Sequence, residues 1–194
     1  MLIKCRYLRR VLPGTRNIFG ALLPIFNRVS NSRIEAVGPD RACAEWLMRN
    51  GAYVRWHGQP TFVKHYNNLP LDEKDKTPYY IEEVDATDAA ISHHGFPYFN
   101  GCNYITKIKF HNCWYFDDRS ISQLSLLANS LCQLEITNCG EITEKGLATL
   151  TNLKRLDDLR LGNLNQVKDL TRSVAELQEA LPQCSVHIIP TKGK

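Results

Sequence analysis

"LCQLEITNCGEITEKGLATL", residues 131–150, spaces Leu131, Leu134, Ile136, Cys139 and Ile142 three, two, three and three positions apart. The same spacing occurs 26 residues earlier, at Ile105, Ile108, Phe110, Cys113 and Phe116. It occurs again 25 residues later, at Leu156, Leu159, Leu161, Leu164 and Val167. Weaker copies lie at Ile81, Val84 and Ala86, and at Val186 and Ile188. An apolar-x-apolar triplet points two side chains to one face of a short strand. Cys113 and Cys139 then fall in the turn that follows, as small buried hydrophobes. Asn112, Asn138 and Asn163 stand one position before the turn residue and satisfy loop backbone groups. Return helices are predicted over 120–130, 144–153 and 168–181, the last with Leu170, Val174, Leu177 and Leu181 as an inward stripe before Pro182. A period of 20–29 residues with this pattern is the leucine-rich repeat. No single unit buries its own apolar face, so neighbours must stack. The predicted fold is α/β: a short leucine-rich-repeat solenoid of parallel strands and return helices. It requires Ile108, Leu134 and Leu159 to lie side by side on neighbouring strands.

Residues before the repeats do not fit the template. "AVGPDRACAEWLMRNGAYVRWHG" (36–58) predicts a helix with Pro39 in its first turn, Asp40 near the positive end of its dipole and Gly51 as its stop. Ala42, Trp46 and Leu47 form its inward face. Ala52, Val54 and Trp56 then alternate as in a strand. This segment is expected to be a small helical cap on the open end of the stack, with Trp46, Trp56 and Tyr53 in the core. Residues 67–78, polar and proline-bounded, read as a loop.

The chain has 194 residues and a net charge of +4, but the charge is uneven. Lys4, Arg6, Arg9, Arg10, Arg16, Arg28 and Arg33 all precede the first acid, Glu35. A basic, acid-free start with scattered aliphatic residues reads as a mitochondrial presequence, with cleavage between residues 15 and 30. The alternative is a basic arm for nucleic acid or lipid. The remainder is mildly acidic, which argues against nucleic acid as main partner. The expected organisation is a presequence over 1–28, a cap domain over 29–55 and four to five repeats over 56–194. Seven cysteines with no C-x-x-C pair indicate neither a zinc site nor a disulfide framework.

Phosphate-loop, dinucleotide, nucleophile-elbow and zincin motifs are absent from the sequence. His93 and His94 are adjacent and so would not share a helix face. Asp85 and Asp88, and Asp117 and Asp118, follow predicted strands where helix capping explains them. A hard cation held by turn carbonyls is the other reading. The chain is expected not to be an enzyme.

"VGPDRACAEWLMRNGAYVRWHGQ", "NNLP", "VDATDAAI" and "ITNCGEITEKGLATL" together resemble the mitochondrial ATP synthase subunit s (coupling factor B) family, over most of the chain from about residue 30. The resemblance implies a peripheral protein on the matrix side of the inner membrane. Such a protein binds membrane-sector subunits of ATP synthase and supports coupling by limiting proton leak. It also implies a Mg2+ ion held by backbone carbonyls, which carries over to Gly51 in "RNGA" and Thr87 in "DATD". The family is linked to reactive thiols, but here Asn50 precedes the glycine where some members are expected to carry cysteine.

The outward positions of the template, Lys107, Lys109, His111, Glu135, Thr137, Asp158 and Arg160, form the candidate contact surface. Their ordinary alternative is a solvated face. Two rival functions are an assembly scaffold for the membrane arm of respiratory complex I, and a leucine-rich-repeat ubiquitin-ligase adaptor. The last needs an F-box helix set, for which the N-terminal region is short. Homo-oligomerisation is left open.

Overall fold

The structure, a computed structural model, describes residues 22–190. The expected presequence therefore lies mostly outside the described residues. Six strands form one sheet in the order β1-β2-β3-β4-β5-β6. They are β1 (Tyr53–Trp56), β2 (Ile81–Thr87), β3 (Lys107–His111), β4 (Gln133–Thr137), β5 (Asp158–Gly162) and β6 (Ser185–Ile188). Neighbours from β2 to β6 are parallel, and β1 pairs antiparallel with β2.

The register follows from the sequence spacing. Val84, Ile108, Leu134, Leu159 and Val186 align across five strands, and so do Ala86, Phe110, Ile136, Leu161 and Ile188. Offsetting any strand by one residue would turn its apolar pair to the opposite face, so burial fixes the pairing. Every member of the two rows is buried except those on β6, where Ile188 is 46% exposed. Among the described residues no strand pairs with the outer edge of β6, so no further unit covers it.

The turns after the strands repeat as well. Asp88, Asn112, Asn138 and Asn163 have φ between 50° and 59°, a left-handed conformation that Asn and Asp tolerate better than other side chains. Their backbones step across the stack: Asp88 N–H donates to His111 O, Asn112 N–H to Thr137 O and Asn138 N–H to Gly162 O, at 2.9–3.0 Å. Cys113 and Cys139 are fully buried. The Cys113 thiol donates to Ala86 O at 2.8 Å, and that of Cys139 to Thr137 O at 3.4 Å.

The return limbs are tighter than the sequence predicts. A single α-turn, α3 (Asp118–Ser122) or α4 (Glu144–Ala148), passes into a 3₁₀ segment, Gln123–Leu127 or Thr149–Asn152. Residues His93–Phe99 are 3₁₀ throughout and contain Pro97. A 3₁₀ segment rises about 2.0 Å per residue against about 1.5 Å for an α-helix. It returns the chain to the start of the next strand with fewer residues. Only the longest unit holds a full helix, α5 (Leu170–Ala180). Side-chain caps begin these limbs: Asp117 accepts from Ser120 N, Thr143 from Lys145 N and Asp169 from Arg172 N. Asp118 instead bonds Thr143 N at 2.8 Å and its hydroxyl at 2.6 Å, tying one unit to the next.

The cap consists of α1 (Asn31–Val37), α2 (Pro39–Arg49) and β1. It is not purely helical: β1 extends the same sheet, and Val54 is bridged on its other side by Val63. Pro39 opens α2, and Gly51, at φ 93°, lets the chain reverse after Asn50. Trp46, from the buried face of α2, packs against Phe96, Tyr98 and Phe99 at 5.5–6.0 Å between ring centroids. Phe96 then stacks on Phe116 and Phe110, so one core runs from the cap into the repeats. The loop over 57–80 is held down by ion pairs: Arg33 bonds Glu45 at 2.7 Å and Glu73 at 2.9 Å, and Tyr66 donates to Glu45 at 2.9 Å.

Residues 22–28 belong to this packed body. Asn27 has no exposed surface. Its Oδ1 accepts from Trp46 Nε1 at 3.0 Å and Ser92 N at 3.1 Å, while its Nδ2 donates to Ala90 O at 3.2 Å and Asn50 Oδ1 at 3.4 Å. A domain boundary drawn at residue 28 runs through this network.

Candidate functional site

The seven outward residues expected to form a contact surface do lie together. They occupy three rows that cross the sheet. Lys107 pairs with Gln133 and that with Asp158; Lys109 with Glu135 and that with Arg160; His111 with Thr137. Asp85 extends the second row on β2 and His187 on β6. Cross-strand neighbours of opposite sign stabilise a sheet face by a few tenths of a kcal/mol each.

The face is largely self-compensated. Lys109 Nζ is 3.0 Å from Glu135, and Arg160 reaches Asp158 on its own strand at 2.8 Å. Arg55, on β1, bonds Glu82 and Glu83 at 2.8 and 2.7 Å. Lys107 is exposed and, among the described residues, in no ion pair. Thr137 departs from the expectation. It is 7% exposed, and its hydroxyl lies 2.7 Å from His111 Nδ1. The imidazole covers the threonine, so His111 presents the surface there.

Gly51, expected as a carbonyl donor, precedes β1, and Thr87, the other, ends β2. Tyr53 pairs with Asp85 at the end of the antiparallel β1–β2 ladder, with Gly51 two residues before the one and Thr87 two residues after the other. Ala90 N–H donates to Asn50 O at 2.8 Å and closes the same corner. Asp85, two residues before Thr87, accepts from Thr87 N at 3.0 Å and Thr87 Oγ1 at 2.6 Å. The donors are oxygen, the type a magnesium ion takes. Among the described residues no group of three or more His, Cys, Asp and Glu side chains could hold a metal. A cation at this corner would therefore rest on main-chain oxygens and water.

Asp85, Asp88, Asp117 and Asp118 serve turns and caps, and do not face one another as an acid–base pair. Asp88 accepts from Asn112 Nδ2 across the ladder of left-handed residues. His93 lies 3.6 Å from Asp117, and its ring is tilted against that of His94 with centroids 3.9 Å apart.

The sequence suggests no more for Asp40 than a dipole partner, but the structure gives it a second task. It is 5% exposed, and its Oδ1 accepts from Ile81 N at 2.8 Å, joining α2 to the start of β2. Burial pushes its carboxyl from 3.8 up to about 6, although that hydrogen bond favours the ionised form. A carboxyl raised in the folded state binds its proton more tightly there than in the unfolded chain. Its contribution to stability is fully present below about 3.8 and is lost as the pH rises through about 6. Each tenfold difference in proton affinity is worth about 1.4 kcal/mol, so the parent protein should lose on the order of 2–3 kcal/mol from this group between about pH 4 and pH 7. Asp40→Asn should not. Urea denaturation of both at pH 4.5 and 7.5 checks this; an unchanged difference between them at the two pH values would contradict it.

The chain is 40% identical over 177 residues to "ATP synthase subunit s, mitochondrial" of Bos taurus, covering 90% of this chain and 88% of the relative. The Homo sapiens protein of the same name matches to the same extent. "Distal membrane arm assembly component 2" of Drosophila melanogaster is 24% identical over 162 residues, covering 79% of this chain and 55% of that protein. No family model matches the chain.

Proposed function

Because the chain belongs to the mitochondrial ATP synthase subunit s family, we propose that it is a non-enzymatic accessory factor of the mitochondrial ATP synthase. In this reading it sits peripherally on the matrix side of the inner membrane, contacts membrane-sector subunits and limits proton leak. The observation that carries the proposal is identity spread over nine-tenths of the chain, cap and stack alike. We read the stack as a leucine-rich-repeat solenoid, a class that binds other proteins over extended surfaces. The basic, acid-free N-terminus supports import. Among the described residues no helix is long and apolar enough to cross a membrane, which agrees with a peripheral seat.

The test is affinity isolation of the tagged chain from mitochondria. ATP synthase subunits should co-isolate, and Lys107→Ala, which sets no second acid opposite Glu83, should weaken that association with little change in thermal midpoint. Lys107 is the informative position because replacing Lys109 or Arg160 would also break an internal pair. Recovery of another complex, and never of ATP synthase, would sink the proposal. The Drosophila relative's name favours a second reading, as an assembly scaffold for the membrane arm of respiratory complex I. Native gels after depletion separate the two by which complex is lost.

We further propose that Mg2+ binds at the Gly51 and Thr87 carbonyls. Isothermal titration with MgCl2 should then give a saturable signal; heats that do not saturate would refute it.

A further inference from the structure

A cavity of about 350 Å3 lies between the first turn of α2 and the segment over 75–80. Its lining includes Glu35, Asp40, Arg41, Asp75, Tyr79 and Tyr80. Arg41, beside Asp40 in sequence, does not neutralise it. The guanidinium donates to Asp72 O at 3.2 Å and to Thr77 O, sits 3.7 Å from Asp75, and lies over the Tyr79 ring at 5.0 Å. Asp40 is held by backbone N–H groups alone, and among the described residues no basic side chain pairs with it. At the mouth, Tyr80 is 39% exposed and stacks at 4.3 Å on Tyr104, which is 44% exposed. Gly38, also in the lining, has φ 86°, and a Cβ there would meet nothing within 4 Å.

We propose that this cavity receives an arginine side chain of a partner protein, with the guanidinium set against Asp40 and the stem entering beside the Tyr80–Tyr104 pair.

Three features select that occupant. The first is size: the volume is far above the roughly 30 Å3 of one water and within the range of organic-ligand pockets, about 300–1,000 Å3. A bare divalent ion would leave most of it empty. The second is charge. Glu35, Asp40 and Asp75 outnumber Arg41 and Lys76 in the lining, and Lys76 Nζ already donates to Glu73 O at 2.9 Å. The third is the mouth. A planar, weakly hydrated guanidinium stacks on aromatic faces where an ammonium does so less well. The exposed Tyr104, beyond the lining itself, gives a partner's chain a surface to lie on, which a free small cation would not use.

The test is a titration of the isotope-labelled full chain, followed by amide resonances at pH 7.5. The probes are a blocked pentapeptide with arginine at its centre and its citrulline counterpart, which keeps the shape and removes the charge. The arginine peptide should give saturable shifts at Gly38, Tyr80 and Gly101, and the citrulline peptide should bind about tenfold or more weakly, the worth of one charge-assisted hydrogen bond. Asp40→Asn, which keeps an acceptor for Ile81, and Tyr80→Ala, at a half-exposed position, should each weaken binding about fivefold or more at the same scale. The proposal is overturned if the two peptides bind alike, if no saturation occurs by about 10 mM, or if either variant binds like the parent. It is also overturned if MgCl2 alone at equal concentration moves the same amides.

Discussion

Asn27→Ala is expected to cost about 3–5 kcal/mol, because each orphaned buried polar group costs about 1–3 kcal/mol and the vacated volume adds to it. Five hydrogen bonds converge on this one amide: with Leu23 O in its own segment, with helix α2, with the 88–92 segment and with the residue that ends α2. The alanine leaves the Trp46 indole N–H and the Ser92 amide without acceptors, and Ala90 O without that donor. The loss should appear as a lower urea midpoint with little change in slope. Asn27→Asp separates the two halves of the network, because it keeps the oxygen that accepts from Trp46 and Ser92 and replaces the amide N–H donors with at most one O–H. It should fall between the parent and the alanine variant at low pH, where the acid is neutral. A cost below about 1 kcal/mol for Asn27→Ala, the range of an ordinary surface change, would show that the 22–28 segment is not part of the folded body. The consequence reaches import. A cut at residue 28 would discard the amide that locks Trp46, so any processing of a presequence is expected to fall before Asn27, and the mass of the chain isolated from mitochondria reports where it falls.

The repeat is legible in the sequence because strand pairing converts spacing into position. Offsets of 24, 26, 25 and 27 residues between Val84, Ile108, Leu134, Leu159 and Val186 are the register of the sheet itself. Cys113 and Cys139 can be placed in the turn for the same reason. The antiparallel β1 is visible as alternation, but its partner is not, since nothing in four residues states which edge they join. The return limbs read as longer helices because apolar spacing does not distinguish a full α-helix from one turn followed by 3₁₀. At the site, the outward positions are legible but their pairing is not. That His111 covers Thr137 depends on side-chain reach across two strands. Asn27 is hidden by composition: a single polar residue in a basic, aliphatic stretch carries no sign of the Trp46 indole 19 positions away. Asp40 and Arg41 share that difficulty, because both are spent on contacts with residues 72–81.

Gly95→Ala is expected to be among the most damaging single-methyl additions in the chain, at about 3–4 kcal/mol, at or above the upper end of the roughly 1–3 kcal/mol that overpacking costs where neighbours can shift. A Cβ built on Gly95 would fall inside van der Waals contact of Cε2, Nε1 and Cζ2 of the Trp46 indole. The ring has little room to move away. Tyr98 stacks on it at 5.6 Å, Phe96 and Phe99 meet it edge-on, and its N–H is fixed by Asn27. Moving the indole would break that hydrogen bond and unseat the segment over 22–28 as well. The mechanism predicts its own rescue: with Trp46→Leu in place, the added methyl meets no ring, so the double variant should be less destabilised than the sum of the singles by at least about 1 kcal/mol. Simple additivity would mean that Gly95 is required for its backbone and not for the space it leaves to Trp46. The rescued double variant should still lack the Asn27–Trp46 bond. Adding Asn27→Ala to it should therefore cost clearly less than the same change in the parent, which ties the cap, the first return limb and the segment over 22–28 to one buried indole.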